Sequence, residues 1–315
     1  MKLPFLPPLR RGGHETTPVE GKVALVTGGA RGIGAALGRE LAARGARVVL
    51  TDVDPAALEQ TRESIAAESG ADRVLALTAD VCDLAAMEEA AGQAAARFGG
   101  IDVVVANAGI ASYGSVLGVD PAVFRRVIDV NVTGVFHTVR AALPSLVERS
   151  GYVLVVSSLA AFVPAPGMSA YNASKAGVEH FAHALRLEVA HEGVAVGCAH
   201  MSWIDTPLVR DARQDITSFD EMIKGFPPPL DRTAPVEDCV EAFVEAIESR
   251  ARSVFVPKWV AGVGHARELA RRLGEGQTLK RVPTLLPAMD EEVRRLGRST
   301  SARNVAHQAT GSPGA

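Results

Sequence analysis

The sequence predicts an α/β fold in which a doubly wound parallel sheet carries helices on both faces. From Lys22 onward, short apolar runs alternate with longer helical patterns. The runs are almost continuously hydrophobic, as strands buried on both faces of a sheet should be. Strict alternation of strand and helix requires parallel strands with right-handed crossovers. Ligands of such sheets bind beyond the carboxyl ends of the strands, so functional residues are expected directly after strands.

Each element is placed by its own local signal. The apolar runs expected to form strands are Val23–Thr27, Arg47–Thr51, Val74–Leu77, Asp102–Ala106, Tyr152–Ser157, Val194–Ala199 and Ser253–Val256. The helical segments between them are Gly34–Arg44, Pro55–Ser69, Leu84–Phe98, Pro121–Arg149 and Ala173–His191. Asp54 followed by Pro55 is typical of a helix start, and Asp83 is a second candidate N-cap.

Composition excludes several classes of function. The 315 residues are 47% hydrophobic, enough for one large core, and the net charge of -3 provides no basic field for nucleic acid or anionic lipid. Three scattered cysteines form neither a disulfide framework nor a metal-binding motif. No apolar run approaches the roughly 20 residues of a membrane span. We therefore expect a cytoplasmic protein with no metal, no nucleic-acid partner and no membrane span.

The chain divides into four parts. Residues 1–20 contain interrupting prolines and are expected to be a flexible arm, whereas residues 21–257 hold the alternating strands and helices, with an excursion over about 206–230 that is long enough to be a lid. Residues 258–298 are expected to form an arginine-rich helical extension, interrupted near Gly274 and at Pro283 and Pro287. Residues 299–315 are polar and turn-rich, which predicts disorder.

A glycine-rich loop follows the first predicted strand and opens a helix. Its sequence, TGGARGIG over Thr27–Gly34, has the spacing G-x-x-x-G-x-G. Such glycines allow positive φ angles and let the backbone approach a pyrophosphate at the positive helix N-terminus. The residues expected to contact a dinucleotide here are Gly28, Arg31, Gly32, Ile33 and Gly34.

Residues at the ends of the next strands extend this site. Asp52 can accept hydrogen bonds from the adenosine ribose hydroxyls and would repel a 2′-phosphate, which favours NAD. Arg31 could instead pair with that phosphate, so NADP stays an alternative. Asp80 and Val81 follow the third strand, where a carboxylate can accept from the adenine amino group. Asn107, Ala108 and Gly109 follow the fourth strand and let backbone lie against the dinucleotide.

A hydroxyl, a phenol and an ammonium are expected to meet at the carboxyl edge of the sheet. Tyr171 and Lys175 are four residues apart on one helix face, and Ser158 ends the fifth strand. Hydride transfer to a ketone needs a proton donor, and lowering the pKa of a tyrosine to near neutrality takes about 4 kcal/mol. A positive charge about 4 Å away supplies about that much at an effective dielectric of ~20. By itself, however, the Tyr171–Lys175 pair could equally be a surface pair without a function.

Taken together and in order, these motifs resemble the short-chain dehydrogenase/reductase family over roughly residues 20–257. The resemblance rests on Thr27–Gly34, Asp80–Val81, Asn107–Gly109, Asn131, Ser158 and Tyr171-x-x-x-Lys175. It implies a single Rossmann-type domain with seven parallel strands, in which Asn131, Ser158, Tyr171 and Lys175 form a catalytic tetrad. It also implies a homodimer or homotetramer paired through the two long helices.

The family resemblance extends past the sixth strand with one departure. Thr206 matches the position that contacts the nicotinamide carboxamide, and Ile204 lies beside it, but Met201-Ser202 replaces the usual Pro-Gly. Substrate contacts are expected from Phe162, Met168 and Trp203, together with the apolar residues of the lid. Those residues indicate a hydrophobic alcohol or ketone, although they could equally pack the lid onto the core.

The predicted function is therefore an NAD(P)-dependent oxidoreductase acting on a secondary alcohol or ketone. A dinucleotide-binding regulator without catalysis is one alternative, but it would not need Ser158, Tyr171 and Lys175 together. An epimerase or dehydratase that uses the dinucleotide without net redox change is another, and such relatives usually carry a larger C-terminal substrate domain.

Overall fold

The computed structural model describes residues 17–302. Within this range seven strands form a single parallel sheet in the order β3-β2-β1-β4-β5-β6-β7, which confirms the predicted fold class. Most of the expected arm (residues 1–20) and most of the expected tail (residues 299–315) lie outside the described residues.

The strands lie close to the predicted apolar runs. They are β1 Val23–Thr27, β2 Arg47–Asp52, β3 Val74–Thr78, β4 Val103–Ala106, β5 Tyr152–Val156, β6 Ala195–Met201 and β7 Ser253–Val256. The α-helices are α1 Gly32–Ala43, α2 Pro55–Ser69, α3 Leu84–Phe98, α4 Pro121–Ile128, α5 Gly134–Glu148, α6 Ser169–Val189, α7 Pro207–Asp215, α8 Thr217–Lys224, α9 Val236–Ser249, α10 Val260–His265 and α11 Arg267–Leu296. Asp54 and Asp83 cap α2 and α3 as predicted, each accepting backbone N–H bonds.

The order of the strands opens a crevice between β1 and β4. From β1 the chain winds outward to β3 and then returns to β4 on the other side of β1. The segments that leave β1 and β4 therefore diverge at the carboxyl edge of the sheet, where doubly wound folds bind their ligands. The glycine loop and Asn107 both lie at this point.

The hydrophobic core lies in two layers, one on each face of the sheet. One layer packs α1 and α9 against strand side chains such as Leu50, and the other packs α3, α5 and α6 against strand side chains such as Val104. Successive residues of a strand enter opposite layers, as the pleat requires. Burial on both faces explains why the strands read as continuous apolar runs.

Two predicted helices differ from the structure. The segment Pro121–Arg149 is not one regular helix, because a π-helical turn at Asp129–Thr133 separates α4 from α5. Conversely, α11 is continuous through Gly274, Pro283 and Pro287, where the sequence predicted interruptions. Both prolines are exposed, whereas the buried side chains of Met289 and Val293 anchor this helix, so tertiary packing overrides the local propensity. No helix between residues 17 and 302 has the length and apolarity to cross a membrane.

Both ends of the described chain are more tightly packed than the sequence predicts. Val19, assigned to the flexible arm, is 2% exposed, and the N–H of Thr17 donates to the carbonyl of Glu248. Ser299 and Thr300, assigned to the disordered tail, are also buried. Each of these short segments is ordered by backbone hydrogen bonds to the core, which composition alone does not reveal.

Candidate active site

A groove follows the crevice between β1 and β4 and continues to the start of α6. The predicted cofactor residues that line it are Gly28, Arg31, Gly32, Ile33, Asp52, Asp80, Val81, Asn107, Ala108, Gly109, Tyr171, Lys175 and Thr206. Gly34 and Ile204 are not among the lining residues. Gly34 lies beneath the loop, and Ile204 is buried in a bridge to Ala234. Residues that the sequence did not indicate, including Arg126, Asp211 and Ser301, also line the groove.

The glycine loop is folded so tightly that side chains could not replace its glycines. Gly28 and Gly32 have φ angles of +67° and +55°, a region that other residues rarely adopt. A Cβ on Gly34 would lie 2.2 Å from the carbonyl oxygen of Gly28. The loop is therefore shaped by its glycines, as the motif predicts.

The N-terminus of α1 is suited to an anionic group. Among the described residues no side chain caps this end, and its first turn holds no acidic residue. The first N–H groups of a helix have no partner within the helix and carry partial positive charge. A pyrophosphate would fit here, so the loop and helix satisfy the requirements of a dinucleotide.

Asp52 and Arg31 are held in different pairings at the end of β2. The Asp52 carboxylate accepts from the backbone N–H of Ala30 at 3.0 Å and from that of Asp54 at 3.2 Å. Each of its oxygens keeps a further acceptor site, which ribose hydroxyls could use. The Arg31 guanidinium is instead paired with the carboxylate of Asp54.

Asp80 lies in a network that includes Arg126, a residue that sequence reasoning missed. Its carboxylate accepts from the N–H of Cys82 and from Arg126 Nη2, both at 2.9 Å. Burial raises the pKa of Asp80, but these two hydrogen bonds outweigh it and leave the pKa below its usual value. Arg126 is on α4, far from Asp80 in sequence, so no local signal could have indicated the pairing.

Asn107 joins the ends of β1 and β4. Its side-chain amide donates to the carbonyl of Thr27 at 2.9 Å, and the Thr27 hydroxyl accepts from the backbone N–H groups of Asn107 and Ala108. Asn107 therefore fixes the floor of the groove by bonds to the protein itself.

Ser158, Tyr171 and Lys175 converge as the sequence predicts. Because α6 begins at Ser169, Tyr171 lies in its first turn and Lys175 one turn later. The Ser158 hydroxyl is hydrogen-bonded to Tyr171, and Lys175 Nζ lies 5.6 Å from the centroid of the Tyr171 ring. Lys175 Nζ also donates to the carbonyl of Val156 at 2.9 Å, which holds the buried ammonium at the end of β5.

The electrostatics of this group differ from the simple expectation. Burial raises the pKa of Tyr171, and the hydrogen bond from Ser158 only partly offsets it. Burial also lowers the pKa of Lys175 to about 8.

Asn131 acts as a buried brace inside the π-helical turn. Its side chain accepts from Ile110 N–H at 2.8 Å and donates to the Ile110 carbonyl and the Ser174 hydroxyl, each at 2.9 Å. It is fully buried. These bonds tie the segment after β4 to α6, and they account for an asparagine at a position of poor helix propensity.

An apolar pocket opens beside Ser158 and Tyr171. Met168 and Trp203, two of the residues expected to contact the substrate, line it together with Tyr113, Leu208 and Phe219. Phe162 does not line it, which corrects the sequence expectation. Phe162 packs with Leu159 and Val260 and against the His200 ring, because the short turn after β5 directs it behind the pocket.

The C-terminal extension packs against residues that line this pocket, a contact that the sequence did not reveal. Asp290 on α11 accepts from the N–H of Ser115 at 2.7 Å, and Glu292 accepts from the Ser218 hydroxyl at 2.6 Å. Met289 is fully buried, and its sulfur would lie 2.5 Å from a Cβ on Gly167. The extension thus contacts the loops after β4 and β5 as well as α8.

An ion pair between a half-exposed arginine and a buried glutamate connects the extension to α6. Glu179, one turn beyond Lys175, lies 3.0 Å from Arg267 Nη2 and 3.3 Å from His200 Nε2. The hydrogen bond with His200 is the largest influence on the pKa of Glu179 and, with Arg267, lowers that pKa to about 2 against the opposing effect of burial.

Between residues 17 and 302 no cluster of three or more His, Cys, Asp or Glu could hold a metal.

Comparison with known proteins identifies the family. Residues 22–217 match the model for short chain dehydrogenases, so the chain belongs to the short-chain dehydrogenase family. It is an enzyme of that family, acting on CH–OH groups and the corresponding carbonyls with NAD or NADP. The family match supports neither the non-catalytic regulator nor the epimerase or dehydratase considered above.

Individual relatives agree with this assignment. The chain is 37% identical over 223 residues to cis-4-hydroxycyclohexanecarboxylate dehydrogenase of Sinomonas cyclohexanicum, covering 70% of this chain and 87% of that one. It resembles the structure of 3-ketoacyl-(acyl-carrier-protein) reductase of Brucella melitensis complexed with NADH. That match has a TM-score of 0.67 and 30% identity, and it covers 76% of this chain and 97% of that one. It also resembles the structure of a short chain dehydrogenase of Mycobacterium paratuberculosis bound to NAD. That match has a TM-score of 0.66 and 27% identity, and it covers 76% of this chain and 97% of that one.

Proposed function

We propose that this protein is an NAD-dependent oxidoreductase that interconverts an apolar secondary alcohol and its ketone, with Tyr171 as the general acid and base. The observation that carries the proposal is the meeting of Ser158, Tyr171 and Lys175 between a dinucleotide groove and an apolar pocket. A chain that only bound the dinucleotide would not need the pocket and the groove to share Tyr171.

The proton is handled by Tyr171 and the substrate oxygen by Ser158. When bound, the nicotinamide supplies or accepts the hydride. In ketone reduction the Tyr171 hydroxyl gives its proton to the carbonyl oxygen, and in alcohol oxidation the phenolate takes it back. Ser158, bonded to Tyr171, positions and polarises the same oxygen.

Lys175 supports Tyr171 by its charge and its position. With a pKa of about 8, the amine is mostly protonated at neutral pH and stabilises a phenolate. Its bond to the Val156 carbonyl fixes it between Tyr171 and the groove, where it can also hold the nicotinamide ribose. Thr206, buried at the start of α7 and lining the groove, is the residue we assign to the carboxamide.

The pairings at the end of β2 favour NAD over NADP. Asp52 presents a carboxylate to the groove where the ribose hydroxyls would lie, and it would repel a phosphate there. Arg31 is the cation that could have neutralised such a phosphate, but Asp54 pairs with it. We therefore assign NAD as the preferred cofactor and NADP as the weaker one.

The preference for an apolar substrate rests on the pocket and the lid. Trp203, Leu208 and Phe219 give the pocket an apolar wall around the two hydroxyls of Ser158 and Tyr171. The lid over residues 206–230 serves two purposes. Phe219 lines the pocket, while Ile216 and Ile223 pack into the buried apolar cluster that also contains Met289.

We also propose a homo-oligomer paired through α4, α5 and α6. Phe124, Phe136 and Leu187 on these helices are 39%, 44% and 81% exposed, an unusual amount of apolar surface for neighbouring helices. Light scattering coupled to size-exclusion chromatography would measure the mass, and a monomer at micromolar concentration would contradict the proposal.

The test is a coupled assay with both cofactors. Secondary alcohols and ketones of graded hydrophobicity are supplied with NAD(H) or NADP(H), and absorbance of the reduced nicotinamide is followed. We expect turnover with at least tenfold higher kcat/KM for NAD, and we expect Asp52→Ala to reduce that ratio at least tenfold. Absence of turnover would contradict the function, whereas a higher kcat/KM with NADP would contradict only the cofactor assignment.

A further inference from the structure

Two cavities lie in line beyond the reacting groups. The inner one, beside Ser158 and Tyr171, has a volume of about 70 Å³, whereas a second one under α11 has about 870 Å³. Sites for drug-sized ligands occupy about 300–1,000 Å³. The inner cavity can therefore hold only the reacting end of such a molecule, and the outer cavity has room for the rest.

The two cavities share a wall. Val163 and Ala165, from the segment after β5, line both of them, as do Phe226 and Leu230 from the lid. Phe226 and Leu230 are only partly buried, so the side chains at the boundary are not locked in the core. A ligand that passes these side chains reaches from one cavity into the other.

The roof of the outer cavity is a fixed part of the fold. It is formed by α11, which Met289, Asp290 and Glu292 anchor to the loops after β4 and β5 and to the lid. The family match ends at residue 217, so this roof comes from a part of the chain that the family model does not cover.

The lining of the outer cavity selects for apolar material. Met222, Val263, Val282 and Leu285 contribute its inner surface. Its charged members, such as Arg271 and Glu275, are exposed and stand at the solvent edge. A hydrocarbon chain would gain from burial against this inner surface.

We infer that the substrate is an elongated apolar alcohol or ketone, with its reacting carbon at Ser158 and Tyr171 and its chain in the cavity under α11. This inference rests on the proposed function and adds the size class of the substrate. The C-terminal extension is then a specificity element, because it forms the roof over the part of the substrate that does not react.

The experiment is a series of straight-chain methyl carbinols of four to twelve carbons, oxidised by the full chain with NAD. We expect kcat/KM to rise across the series by about fourfold for each added methylene, the factor equivalent to ~0.8 kcal/mol per buried CH₂. A rise that stops after the first few carbons would overturn the inference, because the inner cavity alone would then suffice.

Two tryptophan variants on α11 provide the matched comparison. Val282→Trp places an indole in the outer cavity and narrows it, whereas Leu279→Trp places the same side chain at a position that is 62% exposed and outside the lining. Val282→Trp should lower the ratio of kcat/KM for the longest and shortest carbinols at least tenfold, and Leu279→Trp should leave it within twofold. Equal ratios in both variants would contradict the inference.

The failure of this inference can be told from the failure of the proposed function. Turnover of short carbinols without a chain-length effect would remove the outer cavity from the substrate site and leave the oxidoreductase intact. Absence of NAD reduction with every carbinol, and of NADH oxidation with the matching ketones, would contradict both the inference and the proposed function. Thermal unfolding of each tryptophan variant checks that a lost ratio does not reflect a lost fold.

Discussion

Replacing Gly34 by alanine should disable the dinucleotide site while leaving the protein folded. The new Cβ would lie 2.2 Å from the Gly28 carbonyl oxygen and 2.8 Å from Asn107 Nδ2. Ordinary carbon–oxygen contacts begin near ~3.3 Å, so the loop must move by about 1 Å. Overpacking of this kind costs about 1–3 kcal/mol of stability. A displacement of that size in a positioning element can weaken function about 100-fold.

The assay is fluorescence titration with NADH, alongside thermal unfolding. We expect the Kd of Gly34→Ala to rise about 100-fold, equivalent to about 2.7 kcal/mol of binding free energy. Gly92→Ala is the matched control, because a Cβ at this position in α3 meets nothing within 4 Å. That control should bind NADH normally and gain about 1 kcal/mol of helix stability. Unchanged NADH affinity in Gly34→Ala would refute the assignment of this loop to the cofactor.

Two further predictions concern buried polar groups. Glu179 has a folded-state pKa of about 2 against an ordinary 4.5, so its contribution is complete above pH 4.5 and is lost as pH falls toward 2. Glu179→Gln should cost about 3 kcal/mol in urea unfolding at pH 7 and about half as much at pH 3; a pH-independent difference would contradict this. Asn131→Ala removes three hydrogen bonds made by a fully buried side chain and should cost at least about 2 kcal/mol, and a loss below about 1 kcal/mol would show that Asn131 is not a brace.

The sheet and the Tyr171–Lys175 pair follow from local sequence because each depends on short-range signals. The continuous apolar runs define β1 to β7, and the four-residue spacing of Tyr171 and Lys175 fixes them on one face of α6. The glycine loop is equally local, since its backbone geometry depends on its own residues. In such regions periodicity and turn chemistry are sufficient.

Long-range packing explains most of what the sequence does not reveal. Arg126 reaches Asp80 across 46 residues, and Asp290 reaches Ser115 across 175. The continuity of α11 through Pro283 depends on side chains that it buries against the site rather than on its own propensity. Phe162 was misplaced for a similar reason, because its direction is set by a turn that the sequence does not mark.

The most direct test of the account is Tyr171→Phe, which removes one hydroxyl and keeps the ring. Thermal unfolding and NADH titration should stay close to wild type, because the groove keeps its other lining residues. Turnover of the best secondary alcohol with NAD should fall at least 1,000-fold, within the 10²–10⁴-fold range of general acid–base catalysis. If the variant binds NADH normally and still turns over within tenfold of wild type, Tyr171 is not the proton-transfer group and the proposed mechanism is wrong.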